Sequence, residues 1–142
     1  MSIVTTDWLI ENLDNVKIID SSWHLPNQKR NAKEEYANEH IINSIFFDID
    51  KNSNHETDLP HMLPSVEKWE NIVSSLGISN SDNIIIYDNS DVLSSCRCWY
   101  TFRYFGHDSS LVSVLDGGLK KWRQEGKPTV NYDTIINESI YK

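Results

Sequence analysis

The run Ile84-Ile85-Ile86-Tyr87 constrains this chain most. It shows no alternation of apolar and polar residues, so a strand built from it must be covered on both faces, as in a parallel sheet packed between helices. A polar loop follows, Asp88-Asn89-Ser90-Asp91, and then an aromatic segment from Cys96 to Phe105 that predicts a helix closed by Gly106. In open α/β sheets the crevice at the carboxyl ends of the strands is where ligands and chemistry gather. The residue delivered there is Asp88, and the loop holds no cysteine, histidine or glycine.

The rest of the chain repeats the alternation. Thr5 or Thr6 can cap a first helix carrying Trp8, Leu9 and Leu13, with Asp7 in its electropositive first turn. Val16 to Asp20 reads as a short apolar strand ending in a carboxylate, and Lys33 to Glu39 as a short helix. Ser44 to Phe47 reads as a strand before Asp48-Ile49-Asp50, and Ser65 caps a helix with Val66, Trp69, Ile72, Val73 and Leu76 at helical spacing, ended by Gly77. A last strand, Leu111 to Leu115, leads through Asp116-Gly117-Gly118 into a helix over Leu119 to Glu125, stopped by Gly126 and Pro128. The pattern predicts an α/β fold with a central, mostly parallel sheet flanked by helices on both faces. Residues 1–128 form one domain on this reading, and 129–142 carry no clear element and read as a linker-like tail.

Composition narrows the partners. A net charge of −8 argues against nucleic acid, which needs clustered Lys and Arg, and the patch Lys29-Arg30 with Lys33 is followed at once by Glu34-Glu35. No apolar run reaches the roughly 18 residues of a membrane span. The first residues show neither a basic nor an apolar signal region, so a cytoplasmic location is the default expectation. Two cysteines, Cys96 and Cys98, cannot build a disulfide framework and point apart on a helix; one of them is expected in the core.

Several residue sets deserve weighing as chemistry. Asp88 and Asp91 could hold a metal or serve as nucleophile and acid, but Asp, Asn and Ser at a strand end more often close turns. A phosphatase-type thiolate needs an arginine at a spacing that places Phe102 or Tyr104 there instead. The five histidines show no metal spacing, and Asp116-Gly117-Gly118 is too short for a dinucleotide fingerprint, so no cofactor is expected. His61, in the loop leading away from the second strand end, is the histidine to keep, because Asp50 could orient its imidazole. Trp99, Tyr100, Phe102 and Phe105 read as core rather than as a ligand box. Arg97, in the first turn of its helix, is the arginine expected to reach the cleft.

Taken in order, these segments resemble the rhodanese family, and within it the N-terminal half of two-domain 3-mercaptopyruvate and thiosulfate sulfurtransferases. The matching pieces are Trp8-Leu9, Ile18-Ile19-Asp20, Trp23-His24-Leu25-Pro26, Glu35-Tyr36, His40-Ile41, Phe46-Phe47-Asp48-Ile49-Asp50 and His61-Met62-Leu63-Pro64. They continue with Tyr87-Asp88, Arg97 to Arg103, Phe105-Gly106-His107 and Leu115-Asp116-Gly117-Gly118 with Trp122. The resemblance implies that sulfur is carried as a cysteine persulfide on a second domain, and that Asp88 stands where that cysteine would be. It also implies supporting roles for Asp50 and His61, similar to the acid and imidazole of a Ser-His-Asp relay whose serine comes from the second domain. Three departures stand out: Asn43 replaces a turn glycine, the loop after Asp88 has no glycine, and the chain stops near Lys142. Two functions follow as expectations. One is half of a sulfurtransferase, inactive alone, partnered by a catalytic rhodanese domain and a small sulfur donor. The alternative is a stand-alone inactive rhodanese module that binds a protein partner or a small anion. A third idea is redox sensing through Cys96 or Cys98.

Overall fold

The computed structural model describes residues 2–51, 63–90 and 93–142. In chain order the elements are β1 (Ile3–Val4), α1 (Thr6–Glu11), β2 (Lys17–Asp20), α2 (Ala32–Asn38), β3 (His40–Ile41) and β4 (Ser44–Phe46). There follow α3 (Val66–Ser75), β5 (Ile84–Tyr87), α4 (Ser94–Tyr104), β6 (Val112–Leu115), α5 (Gly118–Gln124) and β7 (Thr129–Val130). Five strands in the order β1-β6-β5-β2-β4 pair in parallel throughout, and β3 and β7 form a separate antiparallel ribbon.

β5 lies at the centre of the sheet, and all four of its residues are fully buried, as its unbroken apolar run requires. Ile84 and Ile86 point to one face, where they meet Ile19, Val112, Trp69 and Val73 of α3, and Cys98 and Phe102 of α4. Ile85 and Tyr87 point to the other, against Ile18, Leu115, Leu9 of α1, and Leu119 and Trp122 of α5. The helices therefore cover both faces, and each fully buried large side chain contributes roughly 1.5–3 kcal/mol. The aromatic residues of α4 mostly serve this core: Trp69 stacks on Phe105 at 5.0 Å and meets Phe102 edge-on at 4.9 Å. Tyr100 and Tyr104 are the exposed exceptions.

Local signals set the helix ends. Thr5 accepts a hydrogen bond from the Trp8 amide and Ser65 one from the Lys68 amide, both acting as N-caps. Asn43 takes the left-handed conformation, φ 73°, that a turn glycine would use.

The tail departs from expectation. Thr129–Val130 pairs with His40–Ile41, and the remainder folds back over the amino ends of the sheet rather than hanging free. Tyr141 is only 3% exposed and joins the core; its hydroxyl lies 2.9 Å from Nδ1 of the buried His107. The Tyr141 amide donates to Ser74 Oγ, and the Asn80 side chain grips both backbone polar groups of Lys142, at 2.9 and 3.0 Å. The tail's apolar residues, Val130, Tyr132, Ile135, Ile136, Ile140 and Tyr141, follow neither helical nor strand periodicity, so the sequence does not mark which of them packs.

Candidate functional site

Asp88 leaves β5 at its carboxyl end, and its carboxylate turns onto the start of α4. Oδ2 accepts from the Ser95 amide at 2.8 Å and Oδ1, more weakly, from the Ser90 amide at 3.3 Å. The residue at the N-cap position, Leu93, has no acceptor of its own, so Asp88 supplies the cap from a distance. The helix's positive end favours that charge. Behind it, the Asp88 carbonyl accepts from the Leu119 amide at 3.2 Å. Gly118 makes this approach possible: its φ is +59°, and a Cβ there would lie 2.5 Å from the Asp88 oxygen.

The neighbouring β2–α2 loop is laced to this one. The Asn89 amide donates to Ser22 Oγ at 2.8 Å, the Trp23 amide to Ser90 Oγ at 2.8 Å, and Arg30 Nη2 to the Asn89 carbonyl at 3.0 Å. Arg30 also forks Glu35 at 2.8 and 2.9 Å, and His24 meets the same carboxylate at 3.0 Å. Arg30 is the main reason that Glu35 is held below the usual carboxylate range.

A cleft of about 430 Å³ opens over these carboxyl ends, with Arg30, Asp88, Ser90, Cys96, Asp116 and Lys120 on its walls. Arg97 is not among the lining residues; the arginine that reaches the cleft comes from the β2–α2 loop. Arg97 is nearer to the loop along the chain, but the parallel pairing of β2 with β5 brings Arg30 alongside. A smaller hollow of about 210 Å³ adjoins through the shared Arg30 and holds Trp23, Lys33, Asp48 and Asp50. There the Trp23 indole N–H lies 3.1 Å from both oxygens of Asp50. His61 and Asp91 lie outside the described residues.

Neither cysteine stands where Asp88 does. Cys98 is fully buried, and burial pushes its thiol well up, a nearby Ser21 hydroxyl offsetting this only in part. Cys96 is half-buried in the first turn of α4, on the cleft wall. Asp20, at the end of β2, was not singled out from the sequence and is the most perturbed carboxyl here. Burial raises it to about 6 against the opposing hydrogen bonds from Ser22 and Tyr87, and the charge on Asp88 adds to the rise. Arg30 and Lys120 put cationic groups on the cleft wall, but the end of β5 presents a carboxylate already committed to the Ser95 amide of α4 and the Ser90 amide of its own loop.

The comparisons with known proteins agree with this architecture. Residues 5–125 match the rhodanese-like domain family. Over 142 aligned residues the chain is 45% identical to thiosulfate/3-mercaptopyruvate sulfurtransferase 1, mitochondrial, of Arabidopsis thaliana, covering 96% of this chain and 37% of that protein. It is 39% identical to the 3-mercaptopyruvate sulfurtransferase of Rattus norvegicus, covering 89% of this chain and 45% of the relative. The crystal structure of SseA from Escherichia coli, a 3-mercaptopyruvate sulfotransferase by its description, superposes with a TM-score of 0.88 at 34% identity, over 99% of this chain and 56% of that one. The chain thus spans less than half the length of these two curated relatives. No helix among the described residues is long and apolar enough to cross a membrane. Structural superposition and sequence similarity converge: the chain belongs to the rhodanese family and is homologous to 3-mercaptopyruvate and thiosulfate sulfurtransferases.

Proposed function

We propose that this chain is the N-terminal, non-nucleophilic half of a sulfurtransferase that takes sulfur from 3-mercaptopyruvate or thiosulfate. The persulfide forms on a cysteine of a second rhodanese domain, and this half supplies one wall of the cleft, with Asp50 and His61 supporting that cysteine's loop. The observation that carries the reading is Asp88. At the end of β5, where a nucleophile would meet the amides of α4, a carboxylate of the chain itself already accepts the Ser95 N–H. An intramolecular anion there competes with any thiolate or bound anion for the same positive helix end. The rim adds support: Leu93 is 75% and Ile3 60% exposed on the cleft wall, apolar surface of the kind a second domain covers.

The decisive assay is cyanide-dependent thiocyanate formation by the purified chain with each donor in turn. No turnover above a protein-free blank is expected, and measurable thiocyanate from the chain alone would refute the reading. The mass of the native protein in its source cells separates this reading from the stand-alone module. A species about twice 16.5 kDa supports the half-enzyme, and one near 16.5 kDa supports the module.

A further inference from the structure

We infer that Trp23 is a positioning residue for Asp50, and that Ser90, in the loop that lacks a nucleophile, holds Trp23 in place. The inference rests on the proposal that Asp50 serves the partner domain's cysteine loop, and adds to it what orients that acid.

Asp50 is exposed on a turn beyond β4. The indole N–H stands at equal distance, 3.1 Å, from both oxygens, which fixes the carboxylate's direction as well as its position. Trp is a donor only, so the contact selects the acceptor edge of the acid. Holding Asp50 this way requires Trp23 itself to be fixed at both ends. Its ring packs against the core cluster of Trp69 and Phe102. Its amide donates to Ser90 Oγ at 2.8 Å, and Ser90 Oγ lies 3.1 Å from Ser94 Oγ at the start of α4. One residue earlier, Ser22 Oγ takes the Asn89 amide at 2.8 Å.

A continuous line of contacts therefore runs from the start of α4 through Ser90 and Trp23 to Asp50. The loop after β5 carries a carboxylate at its start and, two residues on, the hydroxyl that anchors the tryptophan. On this view its present work is to set the geometry of an acid one strand away.

Two experiments test the inference. On the ¹⁵N-labelled chain alone, the Trp23 indole resonance is assigned among the five tryptophans with Trp23→Phe. Asp50→Asn is expected to move that resonance more than any other indole, and Ser90→Ala to broaden or shift it. In the longer protein that the proposed function calls for, Trp23 is replaced site-specifically by 3-benzothienylalanine, which keeps the fused rings and lacks the N–H. Between about tenfold and 100-fold loss in kcat is expected, with KM and melting temperature little changed, as for a catalytic group left misaligned. A merely structural role for the ring would leave the isostere fully active.

Full activity of the isostere, or an indole resonance indifferent to Asp50→Asn, overturns the inference and leaves the proposed function standing. If Asp50→Asn itself leaves kcat unchanged while the indole resonance responds to it, the bond is real and the role of Asp50 in the reaction fails. A native mass near 16.5 kDa has the same consequence, since no second domain is then present to be served.

Discussion

Asp20 offers the sharpest test of the energetics. It is 2% exposed at the end of β2, accepts the Ser22 amide at 2.9 Å, and has no cation among its described partners. Burial lifts its carboxyl from the ordinary 3.8 to about 6. That gap corresponds to about 3 kcal/mol by which the folded environment disfavours the charged form. The folded chain thus binds more protons than the unfolded one between about pH 4 and pH 6. The contribution of Asp20 is fully present below about pH 4 and lost as pH rises through about 6. At neutral pH the ionised group is a net cost. Asp20→Asn keeps an acceptor for the Ser22 amide and removes the charge. The added NH₂ group needs partners beyond the Tyr87 hydroxyl, a deduction of about 1 kcal/mol. The variant should therefore be about 2 kcal/mol more stable than wild type at pH 7.5, with the advantage crossing zero at about pH 4.5 and turning into a deficit of up to about 1 kcal/mol at lower pH. Urea unfolding of both proteins across that range reads it directly, and using their difference cancels the other titrating groups. A variant less stable at pH 7.5, or a difference independent of pH, refutes the argument.

Two further outcomes follow from the packing. Tyr141→Ala should cost about 3–5 kcal/mol in denaturant unfolding, because it empties a core site, whereas Tyr141→Phe should cost about 1–3 kcal/mol by stranding His107 Nδ1; no effect from either would mean that the tail is detached in solution. Thiol titration of the native chain should count Cys96 first and Cys98 only after denaturant is added, and prompt alkylation of Cys98 would show that its burial is not maintained.

The fold was legible because its strongest signals are the ones a buried parallel sheet produces. Ile84 to Tyr87 could be covered only on both faces, and the caps Thr5 and Ser65 mark their helices with single side chains. The short pieces were not legible. Ile3–Val4 and His40–Ile41 are two residues each, below any periodicity, and exist as strands because of partners more than 85 positions away. The site divides the same way. Asp88 and Asp50 follow from strand ends, but Arg30 and Trp23 enter only once β2 is known to lie beside β5. Arg97 stands close to the loop along the chain, which is the only proximity a sequence displays. The arginine that reaches the cleft is 58 positions before Asp88.

Strand order also separates carboxylates that shape the fold from the one proposed to act. Asp20, Asp48, Asp88 and Asp116 each stand at or just past the carboxyl end of a parallel strand. Asp20 accepts from Ser22, Asp48 from Lys51, Asp88 from Ser90 and Ser95, and Asp116 pairs with Lys121. These partners lie within seven residues along the chain, as in turn closure, and Asp20 adds a hydrogen bond from Tyr87, 67 residues on. Asp50 differs. The indole that fixes it comes from 27 residues earlier, on another loop, and that loop is fastened in turn to the start of α4. Local capping needs no such reach. On the inference above, Asp50 is held by a second element that is itself anchored to a third. Under the proposed function, the acid held in this way is the one that supports the cysteine loop of a second domain.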